Sequence, residues 1–108
     1  MTAHTPPCVF SVDVEEWFHI LDVPATPSID QWGLMESRVE VSFRRMLDLF
    51  AEKQVHTTLF FLGWVAERHP QLVRDAAAQG HEIAAHGYAH ELVYKHDRRH
   101  FTEDVRRA

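Results

Sequence analysis

Val55-His56-Thr57-Thr58-Leu59-Phe60-Phe61-Leu62, closed by Gly63, is the stretch on which the fold turns. Its β-branched and aromatic residues predict a strand that ends at the glycine. Upstream, Ser37 to Lys53 places Val39, Phe43, Met46, Leu47 and Phe50 on one stripe at helical spacing, which predicts an amphipathic helix. Ser37 is placed to cap it, with Glu40 three residues later completing a capping box. Downstream the pattern is helical again, in two pieces. Trp64 to Arg68 forms a short turn, and Pro70 fits the first position of a second helix. Leu72, Val73, Ala76 and Ala77 give that helix its apolar side, and Gly80 stops it.

Further out, residues 8–12 (Cys-Val-Phe-Ser-Val) are a short run of β-formers and predict a buried strand, with Cys8 a small core residue and not a nucleophile. Residues 22–33, with Pro24, Pro27 and Gly33, predict a loop. His81 to Ala85, after the Gly80 stop, is a third strand by position more than by propensity, and Asp97 to Arg107 is a charged terminal helix. Strand, helix, strand, helix, strand, helix is the order of an α/β fold with a parallel sheet and helical crossovers. Sites in such folds lie at the C-terminal ends of the strands.

The totals exclude several classes. Over 108 residues, the apolar share of 45% fits a soluble globular chain and not a disordered one. The net charge of −5 argues against nucleic acid as a partner. Met1 to Pro7 shows no secretory signal and no run of 18 apolar residues occurs, so a cytoplasmic protein without a membrane span is expected. The nine histidines are the anomaly, and they gather toward the C-terminal half.

Two polar clusters fall at strand ends. Asp13 and Glu15 are two apart, so on extended chain both carboxylates face one side. Like charges that close repel unless a cation intervenes. Glu16 is a rival for either role. His86 and His90, four apart, share a face in a helical turn and can hold one ion, with Gly87 between them permitting an unusual backbone angle. Imidazole suits zinc, cobalt, nickel or iron. One carboxylate and two imidazoles leave metal positions open, so that a bound water loses its proton to the second carboxylate and attacks an amide or ester carbonyl. Surface acids and surface histidines are the plain readings of each cluster alone; their meeting at one end of one sheet favours a shared site. Trp17, His19 and Tyr88 are candidates for lining it. His4, His56, His69, His96 and His100 are expected at the surface, and His81 as a hydrogen-bonded structural residue.

Ser11-Val12-Asp13-Val14-Glu15-Glu16-Trp17-Phe18 resembles the first motif of NodB-homology polysaccharide deacetylases, carbohydrate esterase family 4. It is most similar to the branch with Val-Asp-Val-Glu-Asp in place of Thr-Phe-Asp-Asp-Gly, which is associated with exopolysaccharide and PEP-CTERM systems. His86-Gly87-Tyr88-Ala89-His90 resembles the second motif, and Thr58 to Phe61, Gly63 and Gly80 to Ile83 match the family's wording. The resemblance implies Asp13 as catalytic base and Glu15, His86 and His90 as ligands of a divalent metal, zinc first and cobalt or nickel next. It implies an acetylated polysaccharide or oligosaccharide as substrate, and a distorted (β/α) barrel of seven or eight strands. Glu15 stands where the family has Asp, one methylene shorter. That departure keeps open a cyclic imide or allantoin-type amide hydrolase on the same fold, and the aromatic cluster keeps open a non-catalytic sugar-binding module. The family's later motifs, an Arg that orients the base and a Leu-x-His that supplies the acid, have no counterpart in residues 1–108. The chain is therefore expected to be the N-terminal portion of a deacetylase domain, inactive by itself.

Overall fold

A computed structural model describes residues 5–108. Its three strands, β1 (Ser11–Val14), β2 (Thr58–Phe61) and β3 (Glu82–Ala85), form one parallel sheet in the order β1-β2-β3. The register aligns Ser11 with Thr58 and Glu82, and Val14 with Phe61 and Ala85. Five α-helices accompany them: α1 (Ile29–Trp32), α2 (Val39–Lys53), α3 (Gly63–Arg68), α4 (Pro70–Ala78) and α5 (Arg98–Arg107). The crossover β1-α2-β2 is long, and β2 reaches β3 through α3 and α4. No helix among the described residues is long and apolar enough to cross a membrane.

Alternation along the strands gives the sheet two unlike faces. Val14, Leu59 and Phe61 point to the covered face and are at most 4% exposed. They pack with Phe43 and Leu47 of α2, Val65 of α3, and Leu72 and Ala76 of α4. Phe43 meets Phe61 edge to face, with centroids 5.4 Å apart. Burying each of the large aliphatic side chains contributes about 1.5 to 3 kcal/mol. Asp13, Phe60 and Ala84 stand in register on the opposite face, where Asp13 is exposed and Phe60 and Ala84 only partly covered.

Several local expectations are corrected. Pairing of β1 begins at Ser11, so Cys8 precedes the sheet and is exposed, not a core residue. Asp13 consequently lies within the strand and Glu15 just beyond it. The 22–33 loop contains α1, whose Trp32 is buried. The helical region after β2 does fall in two pieces, and the first is longer than the short turn expected at 64–68, a helix over Gly63–Arg68. The break between α3 and α4 falls at His69, before a proline that has no amide to continue the ladder. Gly80 does follow α4 with φ +89°, a left-handed conformation that suits glycine. Ser37 does not cap α2, which starts at Val39 with no side-chain cap of its own. Glu16, buried beside β1, takes that place. Its carboxylate accepts the Ser37 hydroxyl and the amides of Arg38 (3.1 Å) and Val39 (3.2 Å). A carboxylate at a helix N-terminus meets otherwise unpaired N–H groups and the positive end of the helix dipole.

Candidate metal centre

The histidine motif sits on a loop, not on a helical turn. The His86 amide donates to Phe61 O at 3.0 Å and extends the β2–β3 ladder by one residue. Beyond it the chain turns through Gly87 (φ +65°) and again through His90 (φ +54°). A left-handed angle at a non-glycine residue costs energy, and the surroundings hold it in place. From one side, the first amides of α3 donate into the loop: Gly63 N to Gly87 O at 2.8 Å and Trp64 N to Tyr88 O at 3.1 Å. From the other, the Asp104 carboxylate of α5 accepts the amides of Tyr88 (3.1 Å) and Ala89 (3.2 Å). Two glycines allow this fit. A Cβ on Gly63 would stand 2.8 Å from Tyr88 Cδ2, and one on Gly87 would stand 3.0 Å from Asp104 Oδ2.

The end of β1 delivers the carboxylate. Glu15 and Glu16, adjacent in sequence, point to opposite tasks. Glu16 is committed to the start of α2, and its own amide donates to His19 Nδ1 at 2.9 Å. That leaves Glu15, whose Oε2 lies 2.9 Å from His90 Nε2. The side chains are 27% and 15% exposed, so solvent screens them weakly. One donor atom each from Glu15, His86 and His90 falls within 4.8 Å of the others. The imidazole rings of His86 and His90 stand at 79° with centroids 5.0 Å apart.

These contacts do not satisfy the atoms that make them. Glu15 Oε2 is buried and has no hydrogen-bond partner despite its 2.9 Å approach to His90. His86 Nδ1 and His90 Nδ1 are likewise buried and unpartnered. A buried polar atom left unpaired costs about 1 to 3 kcal/mol. An ion placed between Glu15 Oε2 and His90 Nε2 would give the carboxylate oxygen its missing partner, whereas His90 Nδ1 lies on the other side of its ring and faces away from that ion. A divalent cation fits. Two donors bound to one tetrahedral zinc-like ion at 2.0–2.2 Å lie about 3.3 to 3.6 Å apart, so the 2.9 Å Glu15–His90 pair opens by about half an ångström to admit one. Glu15 therefore reaches the histidines despite its extra methylene.

The other expected site residues are distributed differently. Asp13 is exposed on the open face of the sheet and lines a cavity of about 300 Å³ beside β1 with Glu15, Trp17 and Arg38. His86 and His90 line a separate groove of about 430 Å³ with Glu91, His96 and Val105. Trp17 is 49% exposed, with its indole N–H held by Glu36 O at 2.9 Å. His19 is buried among Phe18, Trp32 and Trp64, 6.2 Å centroid to centroid from His90. Burial, and secondarily His90, pushes its pKa down from 6.5 to about 4. Tyr88 turns away from the cluster. It is buried against Gly63, and its hydroxyl donates to Glu67. Burial and then that hydrogen bond raise its pKa. His81 is the structural residue expected, accepting the Thr57 amide at 3.1 Å. His96, expected at the surface, has a side chain only 3% exposed. Asp104, within the terminal helix, was given no role by the sequence pattern; its carboxylate sixteen residues beyond Tyr88 looks like any helix acid until the fold closes.

Comparison with known proteins agrees with this architecture. The polysaccharide deacetylase family profile matches residues 33–108, a span that holds the histidine motif and begins after Asp13 and Glu15. The chain is 47% identical over 45 residues to a chitooligosaccharide deacetylase of Sinorhizobium fredii (strain NBRC 101917 / NGR234), covering 42% of this chain and 21% of the relative. A chitooligosaccharide deacetylase of Rhizobium leguminosarum bv. trifolii is 46% identical over 46 residues, 43% of this chain and 21% of the relative. A crystal structure from Mycobacterium smegmatis, of a protein provisionally named a polysaccharide deacetylase, superposes with a TM-score of 0.67 at 32% identity. That superposition covers 92% of this chain and 35% of the other. The parallel α/β fold expected from the sequence is thus the one observed, and it corresponds to part of a NodB-like barrel.

Proposed function

The chain belongs to the polysaccharide deacetylase family, and from that premise we propose that it carries the metal and base half of a hydrolase that removes acetyl groups from N- or O-acetylated sugars of a polysaccharide or oligosaccharide. The observation that carries this reading is the unpartnered Glu15 Oε2 beside His86 and His90. A divalent ion held there, zinc by donor type, would supply Lewis acidity toward water and an acetyl carbonyl. Glu15 contributes the negative charge that balances the ion, and His86 and His90 fix its position from the pinned loop. Asp13, two residues before Glu15 on β1, takes the proton of the attacking water as general base. Trp17 offers a half-exposed aromatic face to a sugar ring.

In this reading residues 1–108 are the N-terminal portion of the catalytic domain. The groups that orient Asp13 and protonate the leaving amine then lie outside them. The Val12-Asp13-Val14-Glu15 wording favours the branch associated with exopolysaccharide and PEP-CTERM systems. The full chain should release acetate from an N-acetylglucosamine oligomer and stop when a chelator removes the metal. An Asp13→Asn variant should keep its metal and lose about 10²-fold or more in turnover, the usual contribution of a general base. Unchanged turnover in that variant rejects the base assignment.

A further inference from the structure

A second group of ligating side chains lies where the loop after His90 meets α5. Glu91, His96 and His100 each bring one donor atom to within 4.8 Å of the others. His100 Nε2 is 3.2 Å and His96 Nε2 is 3.7 Å from the two oxygens of the Glu91 carboxylate. His96 is the unusual member. Its side chain is 3% exposed, and neither ring nitrogen has a hydrogen-bond partner. At 3.7 Å the Glu91 oxygen is beyond hydrogen-bond reach. A buried imidazole normally pairs at least one nitrogen, so the desolvation of His96 is uncompensated by anything in the described residues.

We propose that Glu91, His96 and His100 form a second cation site, for a first-row divalent ion of the zinc type, at the rim of the groove that His86 and His90 line. The donor set is one carboxylate and two imidazoles, which suits zinc better than calcium or magnesium. The two Glu91–histidine spacings, 3.2 and 3.7 Å, bracket the separation of about 3.4 Å expected for two donors on a tetrahedral zinc. His96 and His100 flank the Asp97 cap of α5, and the His100 amide donates to Asp97 Oδ1 at 2.7 Å, so the helix start fixes the backbone of both. Their rings are stacked, 4.2 Å apart and 12° from parallel. Two ligands of one ion must splay, since the metal lies in the plane of each ring. His100, with its side chain 49% exposed, has the freedom to swing while buried His96 stays. The positive end of α5 opposes a cation, and the charges of Glu91 and Asp97 offset it. Glu91 and His96 share the groove with His86 and His90, so an ion at the rim would carry positive charge to the mouth of the first centre.

Equilibrium dialysis of the full chain against zinc chloride, with metal counted by mass spectrometry, tests this. Wild type should bind two equivalents, and a His96→Gln/His100→Gln double variant one. A His86→Gln/His90→Gln variant should retain the rim equivalent. If the first centre does not bind zinc, wild type binds one equivalent that the His96/His100 variant loses and the His86/His90 variant keeps; this sustains the rim site alone. A His96/His100 variant that binds as many equivalents as wild type, with Kd within twofold, overturns the proposal. A readout on the unmutated protein guards against misfolding of the variants. The imidazole resonances of His96 and His100 should shift on zinc titration, and resonances that stay fixed at saturation overturn the site.

Discussion

The Asp104 carboxylate accepts the amide of Tyr88 at 3.1 Å, joining the terminal helix to the middle of the histidine motif across sixteen residues. It accepts Ala89 N as well, so one side chain holds two consecutive amides between His86 and His90. The relationship makes Asp104 a positioning residue: it touches no donor atom of the cluster, yet it fixes the backbone that aims both imidazoles. An Asp104→Ala variant should weaken zinc binding at the Glu15 centre by about 10- to 100-fold, the usual cost of losing such support. Asp104→Asn, which keeps one acceptor oxygen, should lose less. Titration calorimetry would check both, and equal affinities for all three proteins would show that α3 alone sets the loop.

Glu15 and Glu16 should separate cleanly on substitution. Glu16→Ala leaves the start of α2 without its partner for two amides and the Ser37 hydroxyl. A loss of about 2 kcal/mol in stability is expected from a missing cap of this kind, with the metal still bound. Glu15→Ala should do the reverse, abolishing the metal while costing the metal-free fold little, because Glu15 Oε2 is unpartnered there. Urea unfolding with chelator present, beside metal content without it, distinguishes them. Loss of metal on Glu16→Ala at unchanged stability would reverse the assignment.

Acid should destabilise the fold through His19. Burial holds its folded pKa near 4, below the ordinary imidazole value of 6.5. Above pH 6.5 both folded and unfolded forms are neutral and stability is full. As pH falls from 6.5 toward 4, the unfolded chain takes the proton first, and stability drops until the folded form also protonates. The shift corresponds to a loss on the order of 2 to 3 kcal/mol across that window. His19→Asn, whose Oδ1 can accept the Glu16 amide in place of Nδ1, should flatten the dependence. Denaturant midpoints at pH 7 and pH 4.5 would show it; the same slope in both proteins would assign the acid sensitivity elsewhere.

Much of this was legible in residue order. Val55 to Leu62 between two apolar stripes required a strand between helices, and Pro70 and Gly80 bounded α4 through local backbone chemistry. The approach of the Asp13/Glu15 end of β1 to His86 and His90 followed from strand ends in a parallel sheet, while the choice of Glu15 over Glu16 came from the resemblance to the family's first motif. What escaped depended on contacts distant in sequence. Ser37 and Glu40 have the spacing of a capping box, but Glu16, more than twenty residues away, outcompetes them for the same amides. His96 lies in a charged stretch of sequence, and its burial comes only when the 86–96 loop and α5 close a groove around it, with His100 stacked on its ring. Asp104 and Tyr88 acquire meaning only once α5 packs on the loop. The helical turn expected for the histidines failed because Gly87 and His90 both adopt left-handed angles, which no apolar periodicity encodes.

The direct test of the central claim is an anomalous difference map at the zinc edge from crystals of the full chain soaked in zinc. A peak about 2.0 to 2.2 Å from a Glu15 oxygen and from one nitrogen each of His86 and His90 is the predicted result. Density at none of the three, or an ion held by Glu16 with Glu15 turned to solvent, would contradict it.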